Sequence, residues 1–403
     1  MTDQNAASVG LVRLLTCLMF FTFAMTTDAV GNVIPELIKE HGLSMTAGGA
    51  FQYFTMGGIA VGALLLGFLA DRIGRKLTII LGLALYGLAS LLVAVSGQYI
   101  MLVALVCVSG LGISVFKTGA LALIGDVSSS TTSHTRFMNT AEGFFAVGAI
   151  VGPAIVERLI YAGMSWKWLY GIAGLICALL VAMAASAKYP QRVVPVERAN
   201  LSQMLPMLRD PLALGFSLVV MLYVATESAI YVWMPTLLKE YTGSYTWLAA
   251  KALALFFLLR ALGRFVGAWL LDRVSWTVAL VIMAFLIFAC FAGALLGGVT
   301  LATWLLPLTG LFMSIVYPTL NSKAISCFPK DRHGAIAGVI LFFTALAAAA
   351  GPLAMAAVSD AAGGARAGFV LAAGFSLLLL VGLAANWLVN PARHRLQLSD
   401  GAA

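Results

Sequence analysis

Six ionisable side chains interrupt otherwise apolar stretches of this 403-residue sequence: Asp28, Lys117, Glu142, Glu227, Arg260 and Arg264. A charge inside a long apolar segment costs roughly 2.5–3.5 kcal/mol on membrane-insertion scales, so such groups usually face one another or a water-filled cavity. Removal from water also favours the protonated form of a carboxylic acid. Asp28 and Glu227 are therefore candidates for binding a proton or a polar solute.

Each of these charges also has a structural explanation. Asp28 and Glu227 could be fixed partners in an ion pair or in a helix cap. Lys117 could neutralise Asp28 or Glu142, bind an anionic group of a solute, or extend toward the membrane surface. Glu142 lies about one turn inside its apolar stretch, which suits an interfacial residue equally well. Tyr223, one turn before Glu227, could stack on the face of a sugar.

The composition places the charges in a membrane protein. The chain is 62% hydrophobic and 10% charged, against roughly 25% charged for a soluble domain. Stretches of about 20 apolar residues, the length that spans a bilayer as a helix, occur twelve times. The sequence thus predicts an all-α integral membrane protein with spans near 11–35, 45–70, 77–96, 99–125, 137–160, 168–188, 212–238, 247–271, 276–297, 301–324, 333–358 and 366–390.

A polar, proline-containing stretch at 189–211 separates two sets of six spans, so we predict halves at 1–188 and 212–403 joined by a cytoplasmic linker. The halves repeat each other. IPELIKE (34–40) recurs as MPTLLKE (234–240), LADRI (69–73) as LLDRV (270–274), and VGPA (151–154) as AGPLA (350–354). Paired repeats of this kind are typical of secondary transporters.

Basic residues are concentrated in the segments that lie inside when the N-terminus is inside. This positive-inside bias accounts for the net charge of +8 without a nucleic-acid partner. Both termini are predicted to be cytoplasmic, in a multi-pass protein of the cell inner membrane.

An enzyme is disfavoured, because the four histidines (His41, His134, His333 and His394) lie in loops or tails and no P-loop is present. The five cysteines are scattered and have no metal-ligand spacing. We expect no cofactor and no metal. A receptor or scaffold without transport stays open and would show no solute exchange in vesicles.

The stretch GFLADRIGRK (67–76) lies in the predicted cytoplasmic loop between spans 2 and 3. It resembles the signature of the major facilitator superfamily. The resemblance implies alternating access between two halves, with spans 1, 4, 7 and 10 lining the cavity. It also implies a cytoplasmic gate, for which we name Gly67, Asp71, Arg72, Gly74 and Arg75, with the repeated pair Asp272 and Arg273.

Four further segments resemble the fucose–proton symporter family: GRFVGAWLLDR (263–273), GLFMSIVYPTLNS (310–322), VSDAAG (358–363) and NTAEGFFAVGAIVGP (139–153). The family's span-4 glutamate would fall near Val115, and its span-1 aspartate near Gly31, one turn after Asp28. Span 10 contributes Tyr317 and Asn321 to the cavity by this resemblance.

The same resemblances suggest two packing roles. Arg264 opens the GRF segment, where pairing near Asp272 is the expected role, and Arg260 shares its helix face. Gly148, Gly152 and Pro153 follow the G-x-x-x-G-P pattern of the superfamily's antiporters, a spacing that lets helices pack closely.

The sequence as a whole predicts a monomeric, proton-coupled symporter for a small polar solute, a sugar or sugar-like metabolite. The alternative is a proton-coupled exporter of a drug or metabolite. The span-4 arginine of drug–proton antiporters (R-x-x-x-G) is absent, since Val108 stands four residues before Gly112.

Overall fold

The computed structural model describes residues 3–66, 69–127, 131–189, 209–239, 241–271, 273–328 and 333–396, and over these ranges the secondary structure is helical. Most of the predicted linker, 190–208, lies outside the described residues. The chain divides into two compact units. One is formed by Met1–Leu43 with Ala50–Arg198, and the other by Ser44–Gly49 with Ala199–Ala403.

The first unit is a helix bundle. Its helices are α1 (Asp3–Thr27), α2 (Val30–His41), α4 (Ala50–Leu66), α5 (Leu69–Arg72), α6 (Arg75–Val95), α7 (Tyr99–Asp126), α8 (Thr131–Tyr161) and α9 (Trp168–Ser186). The short α3 (Met45–Gly48) belongs to the second unit, where the backbone N–H groups of Met45 and Thr46 donate to the two carboxylate oxygens of Asp360, each at 2.8 Å.

The second unit continues with α10 (Pro211–Ser228), a π-helical turn (Ala229–Trp233), α11 (Met234–Leu238), α12 (Thr246–Leu271), α13 (Trp276–Leu296), α14 (Gly298–Met313), α15 (Val316–Ser326), α16 (His333–Ala362) and α17 (Ala365–Val389). Asp210 sets the start of α10, because its Oδ1 accepts from the N–H groups of Leu212 and Ala213. Pro211 occupies the first helical position, where no N–H is needed.

Within the described ranges, eleven helical segments are long and apolar enough to cross a membrane. The remaining predicted span, 45–70, corresponds to α4, whose 17 residues are followed by the undescribed positions 67 and 68. The predicted end of the first span at 35 is wrong, because the helical segment continues to His41. Pro35 lies inside α2 without ending it.

Close contact between α1 and α8 depends on two of the predicted packing glycines. A Cβ atom at Gly148 would overlap the carbonyl oxygen of Phe21, and one at Gly152 would overlap that of Met25. Any side chain at either position would push the two helices apart.

The first spanning helix of each repeat is irregular at an equivalent place. In the first unit α1 ends at Thr27, and a turn at Asp28 and Ala29 precedes α2. In the second unit, 200 residues later, α10 ends at Ser228 and the π-helical turn begins. Such interruptions leave backbone groups without their regular helical partners and often mark functional sites in transporters.

Candidate functional site

A cluster of three polar side chains surrounds the end of α10 in the second unit. Oε1 of Glu227 lies 2.8 Å from Nη2 of Arg260 on α12 and 2.8 Å from the hydroxyl oxygen of Tyr223. The Glu227 side chain is 9% exposed and that of Arg260 is 22% exposed. The largely buried carboxylate is therefore held by a cation and a hydroxyl.

The hydroxyl of Tyr223 has a second neighbour. Its oxygen lies 3.0 Å from the carbonyl oxygen of Met313. Because α14 ends at Met313, this carbonyl belongs to the last turn, whose oxygens lack regular intrahelical donors. A phenol has one proton to donate, so Tyr223 can donate either to Glu227 or to Met313.

The two span-10 residues named from the sequence, Tyr317 and Asn321, lie on α15. The Tyr317 ring centroid is 6.3 Å from that of Tyr223, at 34°, and its hydroxyl is 3.5 Å from Oγ1 of Thr344. Oδ1 of Asn321 is buried and has no hydrogen-bond donor among the described residues. Tyr317 thus adjoins the cluster, and Asn321 offers a buried acceptor on the same helix.

In the first unit, Asp28 is 8% exposed and lies at the interruption between α1 and α2. Its Oδ2 accepts a hydrogen bond from Oγ1 of Thr27 at 3.1 Å. On α7, Nζ of Lys117 lies 4.6 Å from the centroid of the Phe23 ring, a cation–π contact. Glu142 falls within α8, and its side chain lies outside the described part of the structure.

A small cavity with several polar lining groups lies at the interruption between α1 and α2, where Thr27 and Val30 line it. Its volume of about 10 Å³ is close to that needed for one water molecule. The hydroxyl and amide side chains of Thr27, Gln52, Thr55 and Ser109 line it. Hydroxyl and amide groups in an apolar helix carry a weaker sequence signal than a full charge, and this cavity was not predicted.

The predicted gate is only partly described. Gly67 and Asp272 lie outside the described residues, and so do the side chains of Asp71 and Arg72 on α5. Gly74 has φ +86°, a left-handed conformation that favours glycine. Nη1 of Arg75 donates to the Ala70 carbonyl at 2.7 Å, and the Arg273 guanidinium lies 4.1 Å from the centroid of the Trp269 ring. Arg75 therefore braces the turn that Gly74 permits.

A sequence model of the Major Facilitator Superfamily matches residues 16–352. The chain belongs to this superfamily. Among curated relatives, the 4-hydroxybenzoate transporter PcaK of Pseudomonas aeruginosa is 27% identical over 357 residues, 79% of each chain. The L-fucose-proton symporter of Escherichia coli is 23% identical over 389 residues, 87% of each chain.

Solved structures show the same fold. A variant of the fucose:proton symporter FucP of Escherichia coli superposes with a TM-score of 0.66 at 21% identity, covering 96% of this chain and 99% of that one. The nucleoside transporter NupG gives 0.75 at 14% identity, covering 94% and 99%. The predicted twelve-helix superfamily fold is confirmed, and this member is a transporter rather than an enzyme.

Sequence reasoning named Glu227 and Tyr223 of this transporter, but it did not pair Glu227 with Arg260. It assigned Arg260 a packing role with Arg264, whereas the structure places the Arg260 guanidinium on the Glu227 carboxylate. The carbonyl of Met313 was also missed, since a backbone acceptor has no residue-type signature. Arg264 lies one turn beyond Arg260 and is exposed.

Proposed function

We propose that this transporter moves a small hydroxylated solute, a sugar or sugar-like metabolite, together with a proton, and that Glu227 carries the proton. The observation that supports this role is the position of the Tyr223 hydroxyl, within hydrogen-bond distance of both Glu227 and the Met313 carbonyl. These three groups can form a complete set of hydrogen bonds in either protonation state of Glu227.

When Glu227 is ionised, Tyr223 donates to the carboxylate and Arg260 balances its charge. When Glu227 is protonated, the carboxylic acid donates to the Tyr223 oxygen, and Tyr223 turns its proton to Met313. The second arrangement removes the negative charge of Glu227 from beside the Arg260 guanidinium. Arg260 can then bind an oxygen of the solute, so that solute binding and protonation favour each other.

We assign Tyr317 and Asn321 to solute contact, because Tyr317 lies beside Tyr223 and Asn321 presents a buried acceptor. A hydroxyl group of the solute would satisfy that acceptor. In the first unit we assign Asp28 and Lys117 to polar contact with the solute. Glu142 keeps its predicted role in solute or proton binding.

A hydroxylated aromatic carboxylate is the second candidate. Two observations favour it: the superfamily relatives include 4-hydroxybenzoate transporters from two Pseudomonas species, and Lys117, Arg260 and Arg264 place positive charge within the spans. The solute's carboxylate would then compete with Glu227 for Arg260. Proton-driven export of a drug or metabolite is the alternative direction.

We further propose that the protein lies in the cell inner membrane as a monomer with both termini in the cytoplasm, as the positive-inside bias indicates. We also propose that the turn around Gly74 and Arg75 is part of the cytoplasmic gate. The other proposed gate residues are Gly67, Asp71 and Arg72 beside this turn, and Asp272 and Arg273 in the other repeat.

The experiment is uptake into proteoliposomes under an imposed pH gradient of either sign, with L-fucose, other sugars, sugar acids and 4-hydroxybenzoate as labelled solutes. We expect accumulation of one solute class when the outside is acidic. Accumulation only under the reversed gradient would identify an exporter, and the absence of exchange for every solute would contradict the proposal.

Glu227→Gln tests the proton carrier, because glutamine preserves the shape of the glutamate side chain but takes up no proton at the pH values used for transport. We expect loss of pH-driven accumulation with retention of solute exchange. Glu157→Gln on α8 is the matched control and should accumulate solute as the wild type does. Normal accumulation by Glu227→Gln would rule out the assignment of the proton to Glu227.

A further inference from the structure

An apolar cavity of about 460 Å³ lies in the second unit between α10, α15 and α17. Phe216 and Val219 line it from α10, Leu320 from α15, and Gly382 and Leu383 from α17. The cavity is separate from the Glu227 cluster, whose residues do not line it. Its volume falls within the range of sites for small molecules.

The cavity is open at the surface of the second unit. Gly215, Ala385 and Val389, which also line it, are exposed. On the same two helices, Leu218 is 45% exposed and Leu388 is 75% exposed. Exposed apolar side chains on membrane-spanning helices face acyl chains, so a lipid can enter this cavity sideways from the bilayer.

One end of the cavity adjoins stretches of the chain that are rich in basic residues. It is lined by Pro211 and Pro391, which lie next to Asp210 and to the segment after α17. The described basic side chains nearest to these prolines and to Leu320 in the sequence are Arg209, Lys323, Arg393 and Arg395. Asp210 neutralises one of them, with its Oδ2 2.9 Å from Nη2 of Arg395. The stretches of chain that border this end of the cavity, its mouth, therefore hold more basic than acidic side chains among the described residues.

The only polar side chain among the described residues that line the cavity is that of Asn386. Its amide nitrogen, Nδ2, is buried and has no acceptor in the described structure. Asn386 lies about one turn from the basic end, on the cavity side of α17. A buried donor of this kind calls for an oxygen acceptor, which the apolar lining does not supply.

We propose that this cavity binds one anionic phospholipid of the surrounding membrane. An acyl chain fills the apolar part of the cavity, whose volume is in the range of small-molecule sites. The phosphate lies at the basic mouth near Arg209 and Arg393, and Asn386 donates to an ester or phosphate oxygen. Basic pockets between membrane helices commonly recognise such headgroups.

The test uses the purified full-length protein, with phosphatidylglycerol and phosphatidylcholine of identical acyl chains as probes. We expect phosphatidylglycerol to raise the thermal unfolding midpoint more than phosphatidylcholine does, and native mass spectrometry to detect one retained phosphatidylglycerol molecule. Equal effects of the two lipids would overturn the proposal, because the basic mouth would then not discriminate the anionic headgroup from the zwitterionic one.

Gly382→Phe blocks the acyl-chain part, since a Cβ at Gly382 meets only Cγ2 of Val219, at 3.6 Å, and the larger ring extends into the cavity. Gly374→Phe on the same helix is the matched control, because a Cβ there meets nothing within 4 Å and Gly374 does not line the cavity. We expect at least a roughly tenfold weaker affinity for phosphatidylglycerol in Gly382→Phe alone. Equal affinity in the two variants would overturn the proposal.

The headgroup is tested separately by Arg209→Gln combined with Arg393→Gln. Both residues are exposed, so this variant should fold even if Gly382→Phe does not. We expect the double variant to bind phosphatidylglycerol only as tightly as it binds phosphatidylcholine. Its affinity for phosphatidylcholine should equal that of the wild type. An undiminished preference for phosphatidylglycerol would overturn the assignment of the anionic headgroup to this mouth.

Discussion

Trp233 donates its indole N–H to the carbonyl oxygen of Pro352 at 3.0 Å. The first repeat has a counterpart, in which Nδ2 of Asn32 donates to the carbonyl oxygen of Pro153 at 3.2 Å. Pro153 and Pro352 are the repeated prolines of VGPA and AGPLA, and both lie inside helices. In each repeat, a side chain from outside the proline's helix therefore donates to the carbonyl oxygen of the repeated proline, and this hydrogen bond joins two helical segments at an equivalent place.

We expect Trp233→Phe to destabilise the protein by at least about 1 kcal/mol, the order of one hydrogen bond between membrane helices. Trp233 is fully buried, so the smaller ring also leaves a void. The measurement is the thermal unfolding midpoint in detergent. Trp247→Phe is the control, because Trp247 is 60% exposed. Equal midpoints for the two variants would show that the bond to Pro352 contributes nothing.

Gly152→Ala should destabilise the first unit by about 1–3 kcal/mol, as overpacking of a tight contact does. The added methyl group would overlap the Met25 carbonyl of α1, and backbone cannot rotate away as a side chain can. Gly143→Ala on the same helix α8 is the control, since a Cβ there meets nothing within 4 Å. Thermal unfolding distinguishes them, and a stable Gly152→Ala would contradict the close approach of α1 and α8.

We expect the carboxyl group of Asp210 to make a pH-dependent contribution to the stability of the folded protein. Burial opposes ionisation of this carboxyl, but hydrogen bonds from Arg395 and from the N–H groups of Ala213 and Leu212 outweigh it and hold its pKa below the ordinary value. The unfolded chain, with a pKa of about 3.9, therefore binds the proton first as the pH falls. The contribution of Asp210 to stability is therefore complete at pH values above the pKa of the unfolded chain. It is lost as the pH falls through the lower pKa of the folded state.

We therefore expect the unfolding midpoint of the wild type to fall more steeply below about pH 4 than that of Asp210→Asn. Arg395→Gln should reduce the same difference, because it removes the strongest of the hydrogen bonds that lower the pKa. Parallel midpoint curves for the wild type and Asp210→Asn would show that the carboxylate is not stabilised in the folded state.

Asp71→Ala tests the gate. A gate residue affects the rate of interconversion between conformations more than solute contact, so we expect slower transport with an almost unchanged affinity. Transport rate and solute affinity are measured separately in proteoliposomes and by equilibrium binding. A large loss of affinity at normal turnover would place Asp71 in the solute site instead.

The sequence by itself determined the environment and the family. Hydropathy is a property of a stretch of about 20 residues, so the spans could be read without knowing how helices pack. The superfamily was recognisable in GFLADRIGRK because that loop is contiguous in sequence. A tightly packed face on α8 was foreseeable for the same reason, since glycine spacing along one helix is enough to indicate such a face, although the spacing does not name α1 as the partner.

Only the tertiary structure decided which groups meet. The pairing of Glu227 with Arg260 depends on the rotation and height of α10 against α12, and no local pattern records either quantity. The roles of the Met313 and Pro352 carbonyls depend on which side chain of a neighbouring helix lies opposite each of them. Every residue has a carbonyl, so packing alone distinguishes the few that accept a side-chain hydrogen bond.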